Sequence, residues 1–167
     1  MKDNTKLYSS KQESMVADML GWEVVAGSGA AACFPGDVIG DEWLGECKTH
    51  IDSGHKIFFS RDVWDKIKQE AAIKHRFAAL FTDDGTQKDS HTWCLCMRDR
   101  LEMENVHFEP MIKGVNKNIS FNHNDLCKAV KQSVAKYPGQ FPVFYSAWGD
   151  DVIAICQLRT FAALVGE

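Results

Sequence analysis

Pro35-Gly36-Asp37-Val38-Ile39-Gly40-Asp41-Glu42-Trp43-Leu44-Gly45-Glu46-Cys47-Lys48-Thr49 reads as two β-rich runs folded about a Gly40-Asp41-Glu42 turn. Side chains on a strand alternate faces, so Glu46 and Lys48 share one surface while Cys47 points to the other. Asp37, on the neighbouring strand, falls beside Glu46 across the short turn. Two carboxylates and an ammonium then meet. Hard carboxylate oxygens suit Mg²⁺ or Mn²⁺, which acidify an attacking water and shield phosphate charge. A lysine beside them positions the nucleophile or stabilises phosphoryl oxygens in the transition state. These are the parts of a phosphodiesterase, although an acid-x-Lys triplet alone is equally what a solvated strand face displays.

Working outward, Ser10-Lys11-Gln12-Glu13 has the form of a capping box. It predicts a helix that starts there, carries Met15, Val16, Met19 and Leu20, and ends at Gly21. Trp22 to Val25 is a strand broken by Gly27-Ser28-Gly29. After Ile57-Phe58-Phe59, Ser60 is an N-cap for a helix with Trp64, Ile67 and Ala71 on one face, running to about Lys74. Phe77–Phe81, closed by Asp83-Asp84-Gly85, and Thr92–Met97 are strands, whereas residues 101–121 read as irregular or inserted. Leu126, Ala129, Val130, Ser133, Val134 and Tyr137 trace a helix face that Pro138-Gly139 terminates. Pro142–Ser146, a Gly149-Asp150-Asp151 turn, Val152–Cys156 and a short Phe161–Val165 helix complete the chain. With no linker in view, the expectation is one α/β (or α+β) domain on a mixed sheet.

The 167 residues, 45% hydrophobic and 25% charged, have the composition of an ordinary globular protein. No apolar run approaches the roughly 20 residues of a membrane span, and no signal core follows the N-terminal lysine, so a cytoplasmic location is expected. Six cysteines form no CxxC pair and read as reduced packing residues. His91, Cys94 and Cys96 lack the second ligand pair of a zinc finger. The formal charge of −4 opposes bulk nucleic-acid binding, but it is segregated. Lys48, Lys56, Arg61, Lys66, Lys68, Lys74 and Arg76 outnumber the acids between them, and Lys113, Lys117, Lys128, Lys131 and Lys136 face only Asp125.

Glu13, Gly27-Ser28-Gly29, Gly36-Asp37-Val38 and Glu46-Cys47-Lys48-Thr49, in that order, resemble the PD-(D/E)xK nuclease superfamily, and most of all its Holliday-junction-resolvase branch. The Ser60 to Arg76 helix with Trp64 and Gln69 also fits, so the likeness covers roughly residues 7–97. Pro35 precedes Gly36 rather than Asp37, so the literal PD pair is absent. The resemblance implies a restriction-endonuclease-like core over about residues 7–100: a central mixed sheet flanked by helices, with a C-terminal extension over about 101–167. It implies Mg²⁺-dependent hydrolysis of DNA phosphodiesters, with Mn²⁺ as a substitute, by a homodimer acting on four-way junctions in recombination and repair. Asp37, Glu46 and Glu13 would be metal ligands, helped by the backbone carbonyl of Cys47, and Lys48 the catalytic lysine. Ser28, Thr49, Lys56 and Arg61 would contact DNA, and Gln69 would orient the attacking water. A restriction, repair or phage DNA-processing nuclease on the same fold, in the host cytoplasm if viral, and a non-cleaving DNA-binding module stand as alternatives. Several residues also have plainer readings: Glu13 as a cap, Gln69 on an exposed helix face, Trp64 in the core, and His50, His55 and His75 as solvated surface.

Overall fold

A computed structural model describes residues 3–27, 35–51, 54–111 and 117–166, with side chains from Leu7 onward. The first helix, α1 (Asp3–Leu20), begins a full two turns before the expected capping box. Ser10 is already inside it, its hydroxyl donating to the Leu7 carbonyl at 3.5 Å, so Ser10 and Glu13 cap nothing. Spacing of four places Gln12, Val16 and Leu20 on one wholly buried stripe. Gly21, at φ 71°, ends the helix as expected.

Next come β1 (Glu23–Val24), β2 (Val38–Ile39) and β3 (Trp43–Thr49). β2 and β3 form the predicted antiparallel hairpin, with Val38 opposite Gly45 and Ile39 opposite Leu44. β4 (Lys56–Phe59) leads into α2 (Arg61–Ile73), whose Val63 N–H donates to the Ser60 hydroxyl, the expected cap. β5 (Phe77–Asp83) runs parallel to β3, pairing Lys48 with Thr82 and Thr49 with Asp83. β6 (Thr92–Met97) returns antiparallel.

The segment expected to be irregular contains two strands, β7 (Val106–Pro110) and β8 (Ile119–Asn122). β7 pairs in parallel with β9 (Phe141–Trp148), and β8 pairs with β4. Neither bonds to its sequence neighbour, so local turn signals were absent. Between them and the end lie α3 (His123–Lys136), β10 (Asp151–Gln157) and α4 (Leu158–Val165). Val134 is exposed on α3, off the face that buries Leu126 and Ser133.

Among the described residues, eight strands make one mixed sheet in the order β1-β2-β3-β5-β6-β10-β9-β7, and β4-β8 make a separate ribbon. Strand alternation gives the sheet two apolar faces. One packs Cys47, Phe81, Cys94, Cys96, Ala154 and Cys156 against α1 and α4; the other packs Leu44, Leu80, Leu95 and Ile155 against α2, α3 and the ribbon. The described residues after 101 therefore supply three of the sheet's eight strands, β7, β9 and β10, rather than append to it. Phe161 of α4 sits 5.1 Å from the Trp43 ring and 5.6 Å from Phe81, tying the end of the chain to the start of the core. No described helix is long and apolar enough to cross a membrane.

Candidate active site at the end of the β2–β3 hairpin

The hairpin ladder ends where the chemistry-bearing residues begin. The Asp37 N–H donates to the Gly45 carbonyl at 2.8 Å. The next donor along β3, the Cys47 N–H, is taken at 2.8 Å by Oδ2 of Asp37 rather than by backbone. A side-chain carboxylate thus continues the ladder and is fixed at the strand edge. Asp37 and Glu46 are both largely buried, at 9% and 6% exposure. The backbone at Gly36 has φ +71°, and a Cβ there would lie 2.8 Å from Leu44, so glycine is required to aim Asp37. Gly36 is also held from α2, its N–H donating to Glu70 at 3.1 Å.

On β3, the Lys48 ammonium reaches Glu46 Oε1 at 2.5 Å, the shared face expected from alternation. Burial works against that ammonium, but the hydrogen bond and charge of Glu46, with Asp37 behind, outweigh it and hold Lys48 above its ordinary range. From the other layer, α1 brings Glu13. Burial first, then the charge of Asp37 and, further off, Glu46, push the Glu13 carboxyl up, while Lys48 pulls it down. Glu13, Asp37, Glu46 and Lys48 therefore lie within one another's fields, three acids against one base.

The alignment of α1 with β3 depends on Gln12, which is wholly buried. Its Nε2 donates to the Lys48 carbonyl at 3.0 Å, and its Oε1 accepts from the Thr49 hydroxyl at 2.8 Å. The sequence signal was a polar residue on the Gln12-Val16-Leu20 stripe. Thr49 also approaches Asp83 at 3.4 Å, so its hydroxyl is engaged within the fold. Thr82, register partner of Lys48, has a buried hydroxyl without a hydrogen-bond partner among the described residues.

The other expected residues are dispersed. Arg61 donates to the Trp148 carbonyl, Asp65 and Asp151, and none of these contacts is with the acidic group. Lys56 is exposed on β4 and Gln69 exposed on α2, where its neighbour Glu70 makes the contact to the Asp37 loop. Cys47 buries its side chain in the core and presents only its backbone to the hairpin. Ser28 lies outside the described residues. Cys47, Cys94, Cys96, Cys127 and Cys156 are all unpaired thiols, as expected of reduced cysteines.

Comparison with family models, curated proteins and solved structures gives no match to this chain.

A second group of side chains, unforeseen as a unit, stands at the C-terminal end of β5. His55, Asp84 and His91 are, among the described residues, the one trio of ligand-type groups whose donor atoms all lie within 4.8 Å of one another. His91 bonds to Asp84, whereas Cys94 and Cys96 are buried in the sheet. Asp84 and His91 share the β5–β6 connection and His55 comes from the loop before β4, so no spacing in the chain announced the three together.

Proposed function

We propose that this chain is a metal-dependent DNA endonuclease with a restriction-endonuclease-like core, and that its substrate is branched DNA of the four-way-junction type. The observation that supports this most is the gathering of Glu13, Asp37, Glu46 and Lys48 from α1, the approach to β2, and β3, in the order and on the elements that the PD-(D/E)xK resemblance implies.

The donor set fits Mg²⁺. Mg²⁺ binds through one or two carboxylates and keeps several waters, and Asp37 and Glu46 offer two hard donors whose charge Glu13 feels. The excess of acid over base gives a divalent cation its electrostatic reason to bind, and the buried Thr82 hydroxyl beside Lys48 is suited to an ordered water. When bound, the ion supplies a more acidic water and relief of phosphate charge. The chain does the rest. Asp37 is locked by the Cys47 N–H, so one oxygen is oriented before any ligand arrives. Lys48 stays protonated and presents its charge where the phosphoryl oxygens gain theirs, the step at which fixed charge lowers a barrier most. Gln12 fixes the Lys48 backbone, so that charge is preorganised.

A panel of labelled four-way junction, matched duplex and single strand, incubated in Mg²⁺ with wild type and Lys48→Ala, tests the reading. Paired nicks near the crossover, lowered by about a hundredfold or more in Lys48→Ala, are expected. Cutting of linear duplex alone indicates another nuclease on this fold, and tight binding without cutting indicates a binding module.

A further inference from the structure

The geometry points to a transition-metal site of the Zn²⁺ class formed by His55, Asp84 and His91, separate from the acidic group and independent of the nuclease reading. Asp84 is the centre. Its side chain is wholly buried, and the two imidazoles approach the same oxygen: Nδ1 of His91 lies 2.8 Å and Nδ1 of His55 3.1 Å from Oδ2. The other oxygen, Oδ1, is occupied by the Thr86 N–H at 3.2 Å and the Thr86 hydroxyl at 2.8 Å. The carboxylate is thereby fixed in rotation, with one oxygen turned to two nitrogens.

Two imidazoles and one carboxylate are the donors that Zn²⁺ and its first-row neighbours prefer, whereas Mg²⁺ prefers oxygen alone. Bonds of about 2.1 Å in a tetrahedron separate ligand atoms by about 3.4 Å. The observed separations need to widen only slightly to admit an ion. Three protein donors leave a fourth position, and the half-exposed His55 ring leaves it open to solvent. That is the pattern of a reactive metal site rather than a closed structural one.

Both rings are held from outside the cluster. His91 stacks on His123 with centroids 4.0 Å apart and planes at 19°. His123 is itself tied down: its Nδ1 accepts from the Trp93 indole N–H at 3.1 Å, and its Nε2 lies 3.4 Å from the Cys127 sulfur. With Nδ1 an acceptor, His123 is a neutral platform that orients its neighbour. His55 adopts φ 64°, and its carbonyl accepts the His123 N–H at 2.8 Å, so the ribbon of β4 and β8 holds its backbone. Supporting contacts of this kind orient metal ligands in general.

The full chain, stripped with chelator and titrated with Zn²⁺ alone and with Co²⁺ alone, provides the test. One equivalent should bind at this site, apart from any ion that the acidic group takes, and Co²⁺ there should show the visible absorption of a four-coordinate site. His55→Ala, whose ring is largely outside the core, and His91→Ala should each weaken binding by more than the roughly 10–100-fold that losing a supporting partner costs. Glu104→Gln, an exposed carboxylate before β7, should retain wild-type binding, and melting curves report whether each variant is folded. No saturable binding of either ion, wild-type affinity in both histidine variants, or equal loss on Glu104→Gln would each overturn the assignment. Loss of DNA cleavage with metal binding intact would count against the nuclease reading alone.

Discussion

At the scale of single residues, Gly36 and Gln12 carry the site without touching a substrate. Gly36→Ala places a Cβ against Leu44 at a left-handed backbone position. It should cost about 1–3 kcal/mol in chemical denaturation and lower cleavage further by displacing Asp37. Gln12→Ala removes one partner of the Lys48 carbonyl and leaves the Thr49 hydroxyl only Asp83 at 3.4 Å, for about 1–3 kcal/mol, and should slow cleavage more than it weakens DNA binding. The thiols offer a further check. Burial pushes Cys156 up to about 12 and Cys94 and Cys96 well above the ordinary thiol range, whereas Cys127 is only partly buried. Peptide mapping after brief alkylation at pH 8 should find Cys127 modified well before Cys47, Cys94, Cys96 and Cys156. Since the unfolded Cys156 thiol ionises near 9, its contribution to stability is present below that value and lost as pH rises towards 12. The charged residues of β3 were legible because alternation is a local rule. Gln12 was legible in principle, and the His55–Asp84–His91 trio was not, since only tertiary structure brings the loop before β4 to the β5–β6 connection.

At the scale of elements, Asp151 ties α2 to the β9–β10 turn. Its Oδ2 accepts from Lys68 at 2.6 Å and from the Trp64 indole at 3.0 Å, with Arg61 at 3.4 Å. Burial alone would raise its carboxyl, but Lys68 and Trp64 more than offset that and hold it below the usual range. A carboxylate with a depressed native value contributes stability above the unfolded value of about 4, and loses it as pH falls through the native one. Asp151→Asn should therefore destabilise by about 2 kcal/mol at pH 7, and denaturant melts should show the gap to wild type closing below about pH 4. A gap unchanged at pH 3 would contradict this role for the charge. The Ser60 cap, the amphipathic α2 and the Gly21 stop were readable in sequence because each is a local signal. The true start of α1 was not, because Ser10 and Glu13 mimic a cap in mid-helix, and β7 and β8 were not, because their partners are distant in the chain.

At the scale of the whole molecule, the net charge of −4 becomes a statement about conditions. Glu13 lies in the fields of Asp37 and Glu46 at the proposed ion site, while Lys56, Lys117, Lys128, Lys131 and Lys136 are exposed on the β4–β8 side and α3. Junction binding by the non-cutting Lys48→Ala variant should be tighter in Mg²⁺ than in chelator, with log K falling linearly in log salt. Equal affinity with and without Mg²⁺ would contradict this account of the charge. The most direct measurement of the central claim is single-turnover cleavage of a four-way junction in Mg²⁺ by Asp37→Asn and Glu46→Gln, alongside binding of the same DNA. Cleavage should vanish in both while binding persists; full cleavage in either variant would contradict the assignment of the site.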